Sequence, residues 1–294
     1  MTMTDKHAIR IEIFESTLML LQQGWYIAPS GKKVSLPSAK EVMDAAVMYS
    51  EPVNLLVDPM VPIETSVRVE NKDCVMAAKD LIDAGYNPAM LNLADLYTPG
   101  GLVDYGSGAQ EENLCRRSSL ILSLYQFSAA RVRQYPELGL VCHQDQYPMD
   151  ERFGGIYSGI VTFFRSTEQM GSMLEEEPVN IPVISVAALS GPRIGPDGLM
   201  LPEETEITLD KMRTIFRIGL MQGHDSLVLS AMGCGAFANP PAHIAKLFHH
   251  VILEDEFRDK YRMIDFAILD GYRTGLRHNP EGNLVPFQRD FAVI

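Results

Sequence analysis

The sequence is poor in three features that would each have pointed to a narrow class of protein. Its four cysteines, Cys74, Cys115, Cys142 and Cys234, lie far apart and form neither a CxxC pair nor a Cys/His cluster with metal-ligand spacing. It has no run of about 18 uncharged apolar residues, and the N-terminal MTMTDKHAIRIEIFE is charged where a signal peptide needs an apolar segment. We therefore predict a cytoplasmic protein with free thiols, no membrane segment, no metal and no cofactor.

Basic residues are also scarce. The chain has 25 Lys and Arg against 38 Asp and Glu, which gives a formal net charge of −13. General binding to duplex nucleic acid depends on many Lys and Arg contacts to phosphates, so the charge argues against it. An anionic ligand would be held locally, by backbone N–H groups at Gly-rich turns and helix N-termini. The composition leaves the oligomeric state open.

What is present is an ordinary globular composition with an alternating pattern. The 294 residues are 46% hydrophobic, enough for a large core. From residue 66 onward, apolar runs alternate with helical segments, as in α/β proteins. The predicted strands are Val67–Val69, Ala89–Leu93, Ile160–Phe164, Pro182–Ala187, Leu227–Ala231 and Met263–Leu269. The predicted helices between them are Val75–Ala84, Glu112–Ser128, Asp210–Gln222 and Pro241–Glu254.

Several of these strands are too uniformly apolar to have a solvent face. The fold class is therefore predicted to be α/β, with a mixed sheet flanked by helices on both faces. Upstream, helices are predicted at Lys6–Gln23 and around Ala39–Met48, with a turn or short hairpin between them. We expect residues 1–60 to form an N-terminal helical extension and residues 61–294 to form one compact domain.

The loop after Leu93 carries the strongest chemical signal. Four glycines fall within nine residues of it, and a helix is predicted to begin near Gln110. Glycines let the backbone approach a ligand closely, while the first turn of a helix stabilises carboxylates such as Glu111 and Glu112. A Glu-Glu pair by itself is more often a favourable first turn on a solvated helix. The pair alone therefore leaves both interpretations open.

The whole stretch resembles the microbial-type poly(ADP-ribose) glycohydrolases, macrodomain-like proteins with a Pro-Gly-Gly-Gly loop and Ala-Gln-Glu-Glu at a fixed distance after it. Here Pro99-Gly100-Gly101 and Ala109-Gln110-Glu111-Glu112 stand at that distance. The resemblance implies a macrodomain-like sheet, with Glu112 as the catalytic acid/base and Glu111 positioning the ribose hydroxyls. The ligand-binding residues expected in this loop are Asp95, Gly100, Gly101 and Gln110.

This assignment makes chemical sense. Breaking a ribosyl C–O bond passes through an oxocarbenium-like transition state, in which the leaving oxygen needs a proton and the attacking water needs a base. One carboxyl group can serve both steps in turn. The sequence departs from the family at Leu102, which stands where the third glycine is usual. That departure points to a narrower substrate, such as mono-ADP-ribose on a particular acceptor, or to weaker activity.

A second glycine-rich loop follows the predicted strand Leu227–Ala231. It is a weak signal for phosphate binding when taken alone, because Gly-X-Gly turns are common. It resembles the family's Gly-Cys-Gly-Ala-Phe-x-Asn loop, however, which implies that its backbone wraps the diphosphate and that its Phe packs on a ribose or the adenine. The ligand-binding residues expected here are Gly233, Cys234, Gly235, Ala236, Phe237 and Asn239.

Other residues weigh less in the sequence. Arg193 is more often a surface charge than a ligand for phosphate, His249 and His250 are expected to be surface or partly buried histidines, and Glu175-Glu176-Glu177 is predicted to be a solvated turn. The hypothesis favoured by the two loops is a hydrolase that releases ADP-ribose from poly- or mono-ADP-ribosylated macromolecules. The alternatives are an ADP-ribose reader without catalysis and a phosphatase acting on an ADP-ribose derivative.

Overall fold

The fold was obtained as a computed structural model that describes residues 3–55, 63–270 and 278–292. Its helices in these ranges are α1 (Met3–Gln23), α2 (Ala39–Asp44), α3 (Cys74–Asp83), α4 (Gln110–Arg117), α5 (Leu120–Tyr125), α6 (Ala129–Gln134), α7 (Pro202–Met221), α8 (Pro241–Ile252) and α9 (Leu284–Asp290). Its strands are β1 (Trp25–Ile27), β2 (Lys33–Ser35), β3 (Ala46–Tyr49), β4 (Ser66–Glu70), β5 (Pro88–Ala94), β6 (Gly155–Ser158), β7 (Thr162–Arg165), β8 (Leu174–Asn180), β9 (Val183–Ala187), β10 (Ser226–Leu229) and β11 (Met263–Ala267).

The central feature is a seven-stranded sheet with the order β3-β6-β9-β5-β10-β11-β4. The pairs β5/β10, β10/β11 and β11/β4 are parallel, while β6/β9 is antiparallel. Every residue of β9 and β10 is buried, as the uniformly apolar runs predicted. The predicted mixed sheet flanked by helices, with an N-terminal helix, is thereby confirmed. Two small antiparallel sheets, β1/β2 and β7/β8, are separate from the seven-stranded sheet.

Three local predictions were wrong, each because a strand competes with a helix or turn. The helix predicted over Ala39–Met48 ends at Asp44, and β3 follows it. The helix predicted over Glu112–Ser128 breaks at Ser118, whose extended backbone bridges to Phe163. The three glutamates predicted as a turn belong to β8, which pairs with β7.

The helix α1 packs against α4 and against the 3-10 turn Val103–Tyr105. Phe14 is buried in α1, and Thr17 donates its hydroxyl to the carbonyl of Arg116 at 2.7 Å. That carbonyl belongs to the last turn of α4, where helix carbonyls lack partners within the helix. The N-terminal helix therefore supports α4 directly.

The described residues form two compact units. One is drawn from Met1–Met48, Ala94–Met149 and Ile156–Ser185, the other from Tyr49–Leu93, Asp150–Gly155 and Val186–Ile294. The boundary predicted between residues 60 and 61 lies outside the described residues, and the domain division stays a prediction. Within the described ranges, a helix both long and apolar enough to cross a membrane was not found.

Candidate active site

The loop between β5 and α4 is shaped by its own first polar residue. The Oδ1 atom of Asp95 accepts hydrogen bonds from the N–H groups of Tyr97 at 2.9 Å and Thr98 at 2.8 Å. This Asx-type turn redirects the chain as it leaves the buried strand. Asp95, expected to bind ligand, is thus placed where it holds the loop, and its N–H donates to Glu111.

Two glycines bring this loop against the paired glutamates. Gly100 and Gly101 both have positive φ, at 76° and 57°, in the left-handed region that favours glycine. A Cβ added at Gly101 would lie 2.5 Å from Glu112 Oε1, closer than any real contact. The loop therefore needs glycine at this position in order to admit the carboxylate.

Glu111 and Glu112 occupy the first turn of α4 and are both buried, with 2% and 7% of their surfaces exposed. Glu111 Oε2 accepts from the N–H of Asp95 at 2.8 Å, and Glu111 Oε1 accepts from Gly100 at 3.3 Å. Backbone donors and the helix N-terminus both stabilise the charged carboxylates. The solvated first turn considered as an alternative is therefore not what the structure contains.

The two carboxylates differ in how many of their oxygens accept a hydrogen bond. Both oxygens of Glu111 are held by backbone N–H groups, whereas Glu112 is held through Oε1 alone, by the Leu102 N–H at 3.1 Å. Glu112 Oε2 is buried and has no hydrogen-bond partner among the described residues. Buried polar atoms are rarely left unpaired. Glu112 is thus the member of the pair with an oxygen available for chemistry.

Hydroxyl and thiol groups close to the pair are held neutral. Burial, reinforced by the charge of Glu111, raises the pKa of Tyr147 well above its usual range, and burial with Glu111 and Glu112 does the same for the pKa of Cys115. The hydroxyl of Tyr147 is buried without a hydrogen-bond partner in the described part of the chain. Sequence reasoning missed Tyr147, because it lies in a weakly patterned segment that carries no motif.

The later glycines of the loop serve the N-terminal helix. A Cβ at Gly106 would lie 2.4 Å from the carbonyl oxygen of His7, and one at Gly108 would lie 2.4 Å from the Arg10 guanidinium. Arg10 donates to both oxygens of Glu168, at 2.9 and 2.8 Å, and to the Gly106 carbonyl at 3.4 Å. Of the four glycines expected to approach a ligand, Gly106 instead lets the backbone of α1 approach closely, and Gly108 faces the Arg10 side chain.

Arg116, four residues after Glu112 on α4, braces the same segment from within. Its Nη1 atom donates to the Ser107 carbonyl at 2.6 Å, and its side chain is 3% exposed. Burial and the neighbouring Arg10 lower the pKa of Arg116 to about 10, opposed by Glu168 and Glu112. The guanidinium therefore remains charged at neutral pH, one helical turn from Glu112.

The second glycine-rich loop lies between β10 and α8 and is braced by Asn239, which is fully buried. The Asn239 side-chain nitrogen donates to the carbonyls of Leu189 at 2.7 Å and of Gly233 and Phe237 at 3.2 Å each. A Cβ at Gly233, whose φ is 72°, would lie 2.4 Å from that nitrogen. Asn239, expected to bind ligand, is placed as the internal brace of the loop.

Some backbone N–H groups of this loop donate to backbone carbonyls and others do not. The N–H groups of Cys234, Ala238 and Asn239 donate to carbonyls within the segment. Among the described residues, the N–H groups of Gly235, Ala236 and Phe237 donate to no backbone carbonyl. Cys234 is fully buried, and burial raises the pKa of its thiol, so it is neither exposed nor nucleophilic. The donors at the loop tip precede the N-terminus of α8, as in anion-binding loops.

The remaining candidates are structural. Arg193 is exposed and pairs with Glu203 at 3.1 Å and Glu204 at 2.5 Å. His249 contacts Asp290 at 2.9 Å and stacks on Phe291. Within the described ranges, His, Cys, Asp and Glu side chains do not gather in a group of three or more that could hold a metal ion.

A mixed α/β sheet with a glycine-rich loop that holds an acidic pair by its backbone places the protein in the macrodomain-like class. The family model for the catalytic domain of microbial-type PARG matches residues 15–166, so the chain belongs to that family. The search of curated protein sequences found no match to this chain.

Solved structures agree with this assignment. Poly(ADP-ribose) glycohydrolase from Thermomonospora curvata is 28% identical over 96% of this chain and 98% of its own, with a TM-score of 0.74. The same enzyme bound to the inhibitor ADP-HPD is 28% identical over 95% of this chain and 98% of its own, with a TM-score of 0.75. The Deinococcus radiodurans enzyme in complex with ADP-ribose is 24% identical over 89% of this chain and 100% of its own, with a TM-score of 0.66. The predicted macrodomain-like fold and family are thereby confirmed.

Proposed function

We propose that this protein is a glycohydrolase that releases ADP-ribose from poly- or mono-ADP-ribosylated substrates, with Glu112 as acid/base. The observation that carries the proposal is the Glu112 carboxylate, whose Oε1 is fixed by the Leu102 N–H while Oε2 is buried without a partner in the described residues. An unpaired buried polar atom costs about 1–3 kcal/mol, an expense that a bound substrate would offset. Family membership supports the same activity.

In the proposed reaction, Glu112 Oε2 carries a proton to the oxygen that leaves the ribose C1″. The bond breaks through an oxocarbenium-like transition state, and the carboxylate that remains takes a proton from the attacking water. Glu112 ends protonated and ready for another cycle, and the products are free ADP-ribose and the acceptor hydroxyl or amine. The fixed Oε1 keeps the other oxygen in a constant direction throughout.

Glu111 is proposed to position the ribose hydroxyls. Both of its oxygens already accept backbone hydrogen bonds, but each carboxylate oxygen has a second lone pair and can accept from a hydroxyl as well. Because the backbone bonds fix its orientation, Glu111 can select one placement of the sugar. Gly100, Gly101 and Gln110 complete the proposed sugar-binding part of this loop.

The second loop is proposed to bind the diphosphate. The N–H groups of Gly235, Ala236 and Phe237 supply donors for phosphate oxygens next to the start of α8, and the helix dipole adds to their effect. Phe237 is proposed to pack on a ribose or on the adenine. Such local donors hold an anion despite the net charge of −13.

The acceptor attached to ADP-ribose is the open part of the proposal, and Leu102 bears on it. Leu102 has φ −100°, which any residue adopts, and 54% of its surface is exposed. Its N–H contacts Glu112, so its side chain lies at the edge of the proposed reaction centre. We expect this side chain to affect which acceptor fits, and a comparison of polymer with mono-ADP-ribosylated substrates measures that preference.

The test is a release assay on poly(ADP-ribose), mono-ADP-ribosylated protein and mono-ADP-ribosylated nucleic acid. Wild type is compared with Glu112→Gln, which keeps the shape but removes the ionisable carboxyl group, and with Glu137→Gln, at an exposed glutamate, as control. The variant at 112 is expected to be slower by about 10² or more, the size of a general acid/base contribution. A chelator should leave release intact, because the proposed steps use only carboxyl groups.

If wild type releases nothing from any of the three substrates while still binding ADP-ribose, the protein is a reader and the proposed hydrolase is wrong. If phosphate rather than ADP-ribose appears, the bond that breaks is a phosphate bond and the role given to Glu112 is wrong.

A further inference from the structure

A buried arginine on α6 holds the Gly101 turn. Arg131 is 7% exposed, and its Nη2 atom donates to the Gly101 carbonyl at 3.1 Å. Its Nη1 atom donates to Asp104 and, at 2.8 Å, to the Gln134 side chain. The guanidinium carbon lies 5.1 Å from the centre of the Tyr125 ring. The guanidinium is therefore fixed both by hydrogen bonds in its plane and by an aromatic face.

One peptide unit connects this arginine with Glu112. The carbonyl of the Gly101–Leu102 peptide accepts from Arg131, and its N–H donates to Glu112 Oε1 at 3.1 Å. The peptide is trans, so its C=O and N–H point to opposite sides of the chain. Arg131 therefore approaches from the side of the peptide that faces away from Glu112.

A cation on the carbonyl changes the strength of the donor at the other end. A charged guanidinium polarises the peptide, and hydrogen bonds in a chain strengthen one another in a buried environment. The Leu102 N–H thus becomes a better donor to the Glu112 carboxylate. It also becomes a more rigid one, because the plane of the peptide is pinned from both sides.

Other ionisable groups lie near Glu112 and its neighbours on α4, but they act differently. Glu111, Cys115 and Arg116 share its helix, and Tyr147, Arg10 and Glu168 come from neighbouring segments. Their influence is through space, whereas Arg131 acts through the peptide that donates to Glu112. Asp104 accepts from Arg131 and from the Tyr135 hydroxyl, and its charge balances that of the guanidinium.

We propose that Arg131 is a positioning residue for cleavage, which sets the direction and strength of the Leu102 N–H hydrogen bond to Glu112. This inference deepens the proposed function and rests on it for its kinetic consequence. Arg131 is separated by the peptide from the reacting atoms, so the ribosyl group is bound equally well with or without it. Its loss should therefore change turnover more than binding.

The kinetic test compares Arg131→Met and Arg131→Lys with Arg133→Met, an exposed arginine on the same helix. Arg131→Met is expected to lower kcat about tenfold or more, the effect of losing one charge-assisted hydrogen bond, with KM changed little. Arg131→Lys keeps the charge and should recover part of the rate. Rates are expressed per ADP-ribose-binding site, which removes any contribution from misfolded protein.

A further variant separates positioning from simple ion pairing. Asp104→Asn removes the charge partner of Arg131 but leaves the contact with the Gly101 carbonyl available. Because an asparagine oxygen can still accept from Arg131, the proposal predicts a smaller loss of kcat for Asp104→Asn than for Arg131→Met. Equal losses in Asp104→Asn and Arg131→Met would mean that the ion pair merely stabilises the fold, and would overturn the proposal.

A spectroscopic test does not depend on activity. Labelling with carbonyl-¹³C glycine and ¹⁵N leucine selects leucines that follow a glycine, Leu102 among them. The Leu102 amide proton is expected to shift upfield in Arg131→Met and to stay in place in Arg133→Met. An unshifted Leu102 amide in Arg131→Met overturns the inference, whereas an inactive wild type with the shift present overturns only the proposed hydrolase.

Discussion

Two loops of this molecule share one plan, a buried strand followed by a glycine-rich turn and a helix, yet they use their polar groups in opposite ways. In the loop after β5, backbone N–H groups are engaged by the side chains of Glu111 and Glu112, which leaves a carboxylate oxygen of Glu112 over. In the loop after β10, the side chain of Asn239 engages backbone carbonyls. Among the described residues, the N–H groups at the tip of that loop donate to no backbone carbonyl.

The difference teaches how similar local sequences provide different chemistry. A loop whose donors hold carboxylates can present a negative or proton-carrying oxygen, which suits a sugar and its leaving group. A loop whose carbonyls are satisfied by a side-chain amide presents N–H donors, which suit an anion. The identity of the residue that braces each loop decides which of the two results.

The largest expected effect that would test this difference between the loops is the effect of Gly101→Ala on ADP-ribose release. The new methyl group would collide with Glu112 Oε1, at 2.5 Å, and the residue would have to adopt φ 57°. We expect release of ADP-ribose to fall about 10²-fold, since a misplacement of about 1 Å near reacting atoms has that effect. Steady-state assays on the substrate preferred by wild type provide the measurement.

The matched control for that variant is Gly139→Ala. Gly139 has a similar φ of 65°, and nothing lies within 4 Å of the Cβ that would be added. Both variants should lose about 1–2 kcal/mol of unfolding free energy from backbone strain. An equal loss of activity in the two would show that strain alone, rather than the clash with Glu112, explains the effect.

A smaller effect is expected from Asn239→Ala in the other loop. The Leu189 carbonyl would lose its donor, while the carbonyls of Gly233 and Phe237 would each lose one of two and keep the backbone N–H groups of Asn239 and Gly191. We expect the unfolding free energy to fall by about 1–3 kcal/mol and the affinity for ADP-ribose to fall about tenfold. Denaturant unfolding and calorimetric titration measure the two.

Asn87→Ala is the control for this prediction, because Asn87 also donates to a backbone carbonyl, that of Gly223, but is exposed. It should leave ADP-ribose affinity unchanged. If Asn239→Ala binds ADP-ribose as tightly as wild type, the braced loop is not the diphosphate site.

The two loops also show what a sequence can and cannot reveal. The glutamate pair and the Gly100-Gly101 turn were predictable, because residues about ten apart on one loop and helix are brought together by local structure. The role of Arg131 was hidden, since its contact with Gly101 spans 30 residues. The Arg10 contact with Glu168 spans 158 residues and depends on the tertiary fold.

The errors in secondary structure have the same origin. The apolar period of Glu112–Ser128 fits a continuous helix, but Ser118 leaves it in order to bridge to Phe163. Three glutamates in a row fit a solvated turn, but pairing with β7 draws them into β8. In each case a partner distant in sequence overrides the local preference.

The smallest effect, on the free energy of unfolding, is expected from Glu168→Gln. This variant loses the charge that pairs with Arg10 of α1, whose guanidinium also contacts the loop between β5 and α4. Burial raises the pKa of Glu168, but hydrogen bonds and the charge of Arg10 outweigh it, so the pKa is lowered overall. A lowered folded-state pKa stabilises the protein above the ordinary glutamate value of about 4.3, and this stabilisation is lost as the pH falls through the lowered value.

The variant should therefore be less stable than wild type at pH 7, by about 1 kcal/mol or less for a partly exposed pair, and the difference should vanish in acid. Denaturant unfolding at pH 7 and at acidic pH measures it. A difference that persists unchanged at low pH would mean that packing, rather than charge, attaches α1 to the loop.

The most direct test of the central claim is single-turnover release at saturating enzyme, with Glu112→Gln and Glu137→Gln measured side by side at equal occupancy of substrate. If the unpaired oxygen of Glu112 carries the proton, Glu112→Gln binds substrate but releases ADP-ribose slower by about 10² or more, while Glu137→Gln matches wild type. Release by Glu112→Gln at the wild-type rate would contradict the assignment of Glu112 as the acid/base.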